Sequence, residues 1–165
     1  MVFDLTARFL TMNRLLAGTL AGFAATFPMT AVMQILHRWP YVERDALPPQ
    51  QITEELAERV GVKDDLEEQQ LNASVWAAHF GFGAAGGAAY AAGLAKAPLP
   101  LAVKGCIWGL VVWSASYLGW IPAASILSPA TEHTSRRNFL MIVAHLVWGV
   151  CVAYGTEAWT REEKR

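Results

Sequence analysis

The sequence is poor in charged residues. They make up 16% of its 165 residues, whereas about a quarter of the residues in a soluble domain are usually charged. The deficit is concentrated in four segments, 15–36, 73–94, 105–127 and 139–156. Each approaches the roughly 20 residues that a helix needs to cross a bilayer. We therefore expect an all-α integral membrane protein, a single membrane domain (1–165) built as a four-helix bundle.

Other features are scarce, and each absence excludes a class of protein. The only cysteines, Cys106 and Cys151, lie in apolar segments, which favours packing roles over a structural disulfide. The formal net charge of -1 provides no footprint for nucleic acid. No Asp or Glu lies within the four segments, so a carboxylate proton or sodium relay is missing. The motifs GxSxG, HExxH, CxxC and the P-loop are absent, so we expect no catalytic residue and no metal site.

What the sequence does contain is a repeated pattern. The second and fourth segments are each preceded directly by an asparagine, which is followed by a histidine seven residues on and a glycine four further: Asn72, His79, Gly83 and Asn138, His145, Gly149. Seven residues are close to two helical turns, so the members of each set share a face. The first and third segments each carry a pair of glycines four residues apart: Gly18, Gly22 and Gly105, Gly109. Two spans per unit predict a parallel two-helix repeat about an axis along the membrane normal.

Small residues are expected to set the helix packing. Glycines four apart allow another helix to approach closely, and the second segment adds Gly87 to Gly83. This helix is so thin that we expect it at the centre of the bundle. In the first segment, Pro28 removes a backbone hydrogen bond and predicts a kink. Asn72 and Asn138 are expected to cap the starts of their helices.

The two histidines leave several interpretations open. A histidine inside a membrane span is costly and calls for a reason. His79 and His145 could be neutral, hydrogen-bonded groups that hold helices together. They could instead be the axial ligands of a haem b, with the nearby glycines making room for the macrocycle. A histidine-based shuttle in a small transporter or channel-like protein is the third interpretation.

Residues 37–72 form the one sizeable extramembrane loop. A short amphipathic helix is expected to begin at Thr53, with Ile52, Leu56 and Val60 on its apolar side. Positive residues are nearly balanced between the two sides of the membrane, with a slight preference for both termini in the cytoplasm.

Short pieces of all four segments resemble a known family. They are residues 18–22 (GTLAG), 27–30 (FPMT), 78–83 (AHFGFG), 116–122 (SYLGWIP) and 144–149 (AHLVWG). The chain resembles the YagU-type and related uncharacterised bacterial four-span inner-membrane proteins. The resemblance implies the bacterial cytoplasmic membrane, an unassigned function and no catalytic residues to carry over.

The preferred interpretation of function is a non-enzymatic accessory or assembly protein. Besides the lipid bilayer, its partner would be another membrane protein or a second copy of the chain. The glycine-rich faces and the 37–72 loop would make the contact. A haem b electron carrier that uses His79 and His145 is the main alternative, and a small transporter or channel-like protein is the other.

Overall fold

The computed structural model describes residues 13–38 and 46–161, and the regular structure in these ranges is helical. We number the α-helices in chain order: α1 Arg14–His37, α2 Pro48–Arg59, α3 Glu68–Ala92, α4 Leu101–Ser114, α5 Ile121–Ala123 and α6 Ser135–Arg161. A π-helical segment, Ala115–Trp120, joins α4 to α5. The expectation of an all-α protein is confirmed for the described residues.

Three stretches are long and apolar enough to cross a membrane: Arg14–His37, Leu101–Ala123 and Ser135–Thr160. They indicate a membrane protein. Helix α3 is 25 residues long but is not among them. Glu68 is the single charged residue of α3, but its glycines and His79 add little to the mean hydropathy of the helix.

Helices α1 and α3 pack backbone against backbone. A Cβ atom built on Gly87 would meet the carbonyl oxygen of Gly18 and would lie 2.7 Å from the Cα atom of Gly22. A Cβ atom on Gly83 would meet the hydroxyl oxygen of Thr26. Only a hydrogen atom fits at these positions, so the glycines permit the close approach of the two helices.

Helices α4 and α6 pack in the same way. A Cβ atom on Gly105 would lie 2.5 Å from the Cα atom of Val150, and one on Gly149 would lie 2.7 Å from the backbone nitrogen of Gly109. A Cβ atom on Gly109 would meet the carbonyl oxygen of His145. Each half of the chain therefore pairs a GxxxG helix with a histidine-containing helix.

The two pairings differ in register. Gly83 and Gly149 are equivalent in the repeated pattern, yet Gly18 meets Gly87, one helical turn beyond Gly83, whereas Gly105 meets Gly149 itself. Four residues along a helix correspond to about 6 Å. The halves thus share a mode of packing and are offset by one turn.

Helix α3 lies at the edge of the bundle, so its predicted central place was wrong. Helix α1 packs against both α3 and α6, and α4 packs against α6. Gly83 and Gly87 of α3 lie on the face that meets α1, while Trp76 and Phe82 are exposed elsewhere on the helix. The core lies between α1 and α6, where the Trp148 indole donates to the Gly22 carbonyl at 3.2 Å.

The π-helical segment has a local cause. Pro122 has no N–H to donate to the carbonyl four residues back, so the α-helical ladder fails at this point. The N–H of Ile121 bonds instead to Ser116, five residues back, and Gly119 leaves the helical region with φ -114° and ψ -109°. Single π turns inside helices recur at functional sites.

Several helix ends differ from the predicted ones. Helix α3 begins at Glu68, because Glu67 and Gln70 form a capping box, so Asn72 lies inside the helix and does not cap it. Helix α6 begins at Ser135, and Asn138 lies within its first turn, where its amide donates to the Ala130 carbonyl at 2.6 Å.

The lengths of the last two spans also differ from expectation. Helix α6 has 27 residues, although the segment 139–156 looked the shortest of the four. The third segment was expected to reach residue 127, but its helix ends at Ala123 and the chain turns at Ser125 with φ 57°. A turn of this kind ends the helix because it directs the backbone away from the helix axis.

The loop helix α2 begins at Pro48 rather than Thr53. Proline suits the first helical position because its fixed φ is already helical and its missing N–H is not needed there. The helix ends at Arg59, and Gly61 follows with φ 73°. Val60, expected on the apolar side, lies past the helix end and is exposed.

Candidate functional site

A cavity of about 230 Å³ lies between α3 and α4. It occupies the half of the bundle in which α1 and α4 end and α3 and α6 begin. Its walls are mostly apolar, and both histidines belong to them. The lining includes the side chains of Thr26, Met29, His79, Tyr117, His145 and Trp148.

The loop helix α2 covers one end of the cavity. Pro49, Ile52, Thr53 and Leu56 face it. Helix α2 is amphipathic, so its apolar side can seal the cavity while its acidic side meets water. The helix thus closes the bundle on the side of the 37–72 loop.

Two arginines hold α2 against the rest of the bundle. The Arg59 guanidinium donates to the carbonyl oxygens of Ala124 and Ser125, each at 2.6 Å, just after α5 ends. Arg137 at the start of α6 donates to the Gln51 side chain at 2.8 Å. Guanidinium groups that reach two acceptors at once fix orientation as well as distance.

His145 is buried at the α4–α6 crossing. Its Nδ1 atom lies 2.7 Å from the carbonyl oxygen of Met141, one turn back in α6. A carbonyl oxygen can only accept, so Nδ1 carries the hydrogen, and Nε2 of the neutral ring is a hydrogen-bond acceptor. The ring meets Tyr117 edge-on, with centroids 5.9 Å apart and planes at 89°.

His79 is tied to α1 through a chain of hydroxyl groups. Its Nε2 atom lies 3.1 Å from the Thr30 hydroxyl oxygen, and that hydroxyl donates to the Thr26 carbonyl at 2.8 Å. Since the Thr30 hydrogen is already donated, the neutral His79 ring donates from Nε2. The Thr26 hydroxyl in turn donates to the Gly22 carbonyl. His79 therefore links α3 to α1 as a hydrogen-bonded group.

The π-helical segment sets the wall opposite His79. Ser116, Tyr117 and Trp120 of this segment all line the cavity, together with Ile121. A π turn adds a residue to the helical turn, which changes the direction of the side chains that follow it. Two hydroxyl groups and an indole are thereby brought to one wall.

Aromatic side chains bridge the gap between α3 and α4. Phe82 and Trp120 meet with ring centroids 6.1 Å apart. Further along, the Trp108 indole donates to the Gly86 carbonyl at 3.1 Å, and its ring lies 6.1 Å from that of Tyr90. These contacts close the side of the cavity where the two helices do not pack along each other.

The structure places the residues predicted from sequence in different parts of the molecule. The structure brings His79 and His145 to one cavity, and it places the seven glycines in helix–helix contacts inside the chain: Gly18, Gly22, Gly83, Gly87, Gly105, Gly109 and Gly149. Pro28 lies within α1, beside the cavity residues Thr26 and Met29. Asn72 and Asn138 lie apart from the cavity.

Sequence reasoning missed the roles of Tyr117, Trp148 and Arg59. The signal for the first was Pro122, which disrupts the helix one turn after Tyr117. Nothing in the sequence pairs Arg59 with the carbonyls of residues 124 and 125, because 65 residues separate them. Within the described ranges, no three His, Cys, Asp or Glu side chains are grouped closely enough to hold a metal ion.

Comparison with known proteins identifies one family. The family model described as "Protein of unknown function (DUF1440)" matches residues 37–154. The matched stretch contains α2 to α5, most of α6 and both histidines. Neither the curated proteins nor the solved structures contain a match to the chain. Because the matched residues make up well over half of the sequence, the chain belongs to the DUF1440 family of proteins of unknown function.

Proposed function

We propose that this chain is a four-span protein of the bacterial cytoplasmic membrane that binds a small molecule in the cavity between α3 and α4. The observation that supports this proposal is the meeting of two membrane histidines on the wall of one cavity. The resemblance to YagU-type proteins supports the choice of membrane.

A fourth crossing by α3 follows from its packing. Its 25 residues correspond to about 37 Å of helix, enough for a hydrocarbon core of about 30 Å. It lies against α1 through the glycine contacts, and α1 is itself a candidate span. Between Glu68 and Lys96 the sequence carries no formal charge.

The number of spans can be tested with reporters. Four crossings place both termini on the same side of the membrane, in the cytoplasm by our expectation, whereas three crossings place them on opposite sides. Fusions of a cytoplasm-active and a periplasm-active reporter to each terminus distinguish the two topologies. Reporters that locate the termini on opposite faces would overturn the four-span proposal.

The cavity suits a small and largely apolar ligand. Ordinary ligand pockets measure about 300–1,000 Å³, and an apolar cavity of about 150 Å³ is known to hold benzene. A cavity of about 230 Å³ therefore fits a single substituted ring or a short chain. Most of its lining is apolar, with a few polar groups that would orient a ligand.

Binding can be measured with fluorobenzene as the probe. The purified protein in lipid nanodiscs is titrated with fluorobenzene and followed by fluorine NMR. Wild type should show a saturable bound signal that Ala78→Phe removes, because Ala78 lines the cavity. Ala77→Phe is the matched control: Ala77 is the adjacent alanine of α3, is exposed like Ala78, and is not part of the lining.

Two results would contradict the proposal. One is the absence of a saturable signal in the wild-type protein. The other is an equal loss in both alanine variants, since only one of them fills the cavity. Circular dichroism of both variants checks that α3 remains folded.

The accessory or assembly role stays a prediction. The glycine faces that were expected to bind a partner are engaged inside the chain, so a membrane-protein partner or a second copy would bind at another surface. Purification in mild detergent followed by mass measurement tests for either.

The haem b hypothesis has one observation in its favour, the shared cavity. Axial ligation of a haem requires one ring nitrogen from each histidine, and Nε2 of His79 is already hydrogen-bonded to Thr30. The visible spectrum tests it: a Soret band that is lost in both His79→Ala and His145→Ala would support haem binding, and a colourless protein would remove it. A proton-flux assay in liposomes tests the transporter or channel alternative in the same preparation.

A further inference from the structure

We propose that the ligand of this cavity is a lipophilic molecule with a hydroxyl group that donates its hydrogen to Nε2 of His145. The inference rests on the proposed binding function and adds the chemical class of the ligand. Three properties of the cavity support it: the hydrogen placement on His145, the other polar groups of the wall, and the apolar surroundings.

The hydrogen placement makes His145 a directional acceptor. Nδ1 donates to Met141 at 2.7 Å, which leaves the Nε2 lone pair as the second hydrogen-bonding function of the neutral ring. No Asp or Glu is part of the described lining, so no carboxylate stabilises an imidazolium there. A cation in an apolar membrane interior without a counter-ion is costly, which favours the neutral ring.

His145 is also held in one orientation. The Tyr117 ring meets it edge-on, with ring centroids 5.9 Å apart, and Nδ1 is bonded to Met141. The imidazole is therefore fixed by Tyr117 of the π-helical segment and by its bond within α6. A fixed acceptor selects ligands that can donate, because a ligand without a donor leaves the lone pair unsatisfied.

Several of the other polar groups of the wall are already hydrogen-bonded within the protein. The hydroxyl groups of Thr26 and Thr53 donate to carbonyls of their own helices at 2.9 and 2.8 Å. His79 donates from Nε2 to Thr30, which leaves Nδ1 of its neutral ring as the other imidazole acceptor of the wall, and the His145→Phe variant distinguishes the two acceptors. Ser116 and Tyr117 carry the remaining hydroxyl groups of the wall and can donate to the oxygen of the same ligand.

The body of the ligand would contact apolar side chains. Met29, Met33, Val112 and Trp148 surround the polar groups, and methionine adapts to rings and chains of different shape. On the outer side, the exposed rings of Phe82 and Trp120 close the gap between α3 and α4. In a four-span protein this side meets acyl chains, so the ligand would come from the bilayer.

The test compares three probes of the same size class: 4-fluorophenol, 4-fluoroanisole and fluorobenzene. The phenol can donate a hydrogen bond, its methyl ether cannot, and fluorobenzene reports the cavity alone. Fluorine NMR in nanodiscs measures each affinity, and the Ala78→Phe variant corrects for partition into lipid. We expect the phenol to bind wild type about tenfold more tightly than the ether, the effect of one well-placed hydrogen bond.

The variant His145→Phe keeps a ring of similar size and removes the acceptor. It should bind the phenol and the ether with equal affinity while still binding fluorobenzene. If wild type binds fluorobenzene but does not prefer the phenol, the proposed function stands and this inference is overturned. If fluorobenzene does not bind wild type, the proposed function itself fails.

A second measurement does not depend on how the variant folds. In wild-type protein with labelled histidine, the nitrogen resonance of His145 Nε2 should shift on addition of 4-fluorophenol and stay in place with 4-fluoroanisole. The resonance of Nδ1 should change little, because its partner is Met141. Equal shifts from both probes would contradict a hydrogen bond to Nε2.

Discussion

Replacing Gly87 by alanine tests the backbone contact between α1 and α3. The added Cβ atom would meet the Gly18 carbonyl oxygen and would lie 2.7 Å from the Cα atom of Gly22. Both neighbours are backbone, so neither can move away by a change of rotamer. Overpacking of this kind costs about 1–3 kcal/mol, and we expect a value at the upper end.

The same helix offers a matched control. A Cβ atom on Gly81 has no other atom within 4 Å, so Gly81→Ala adds only helix propensity, a gain of about 0.5–1 kcal/mol. The two alanine variants should therefore differ by about 3 kcal/mol in the free energy of unfolding. That difference corresponds to more than a hundredfold in the folding equilibrium.

The assay is reversible unfolding in mixed micelles, followed by circular dichroism as the fraction of denaturing detergent rises. Wild type, Gly81→Ala and Gly87→Ala are compared under identical lipid conditions. If the two variants agree to within about 0.5 kcal/mol, the glycines are not in contact and the arrangement of α1 on α3 is refuted.

Three further substitutions test single contacts. Thr30→Val should cost about 1 kcal/mol of stability and should change the nitrogen resonances of His79, because Nε2 loses its acceptor. Trp108→Phe should destabilise the protein by about 1 kcal/mol and speed amide hydrogen exchange in α4, because the bond to Gly86 is lost. Arg59→Gln should speed hydrogen exchange in α2 while leaving α1 unchanged, because the bonds of the guanidinium to two carbonyls are lost.

Each of these has its own control. Thr19→Val removes a hydroxyl that bonds only within α1, to Leu15, and should leave His79 unaffected. Lys63→Gln removes an exposed ion pair with Glu58 and should not loosen α2, since such pairs contribute little. Unchanged histidine resonances in Thr30→Val, or equal exchange of α2 in the Arg59 and Lys63 variants, would contradict the assigned contacts.

The helical character of the chain could be predicted from sequence because it depends on local composition. Long stretches without charge identified the helices, but their ends depend on capping groups. The side chains of Glu67 and Gln70 start α3 before Asn72, and Pro48 starts α2 before Thr53. Several neighbouring residues could cap each helix, and backbone geometry decides which of them does. A hydropathy pattern contains no information on that geometry.

The glycine pairs predicted close contacts between helices, but they did not identify which helices would be in contact. The sequence pattern suggested equivalent halves, and a one-turn offset between them cannot be seen in two copies of the same motif. The edge position of α3 depends on all four helices together, because α1 packs against both α3 and α6 while α4 packs against α6.

The cavity was the least predictable feature. It needs the π-helical segment, the cover provided by α2 and the gap between α3 and α4 at the same time. Only the histidines marked its place in advance, because an imidazole in an apolar segment is rare enough to draw attention. The sequence did not indicate that Thr30 and Met141 would be the hydrogen-bonding partners of these rings.

The one-turn offset between the halves also limits how such a protein can evolve. A chain made of two copies of its first half would place both imidazoles next to a threonine hydroxyl, and a chain made of two copies of the second would bury both at a glycine crossing. Neither duplicate would combine one imidazole that donates to a threonine with one that donates to a backbone carbonyl of its own helix. The different hydrogen bonds of the two imidazoles thus depend on the difference in register between the two halves.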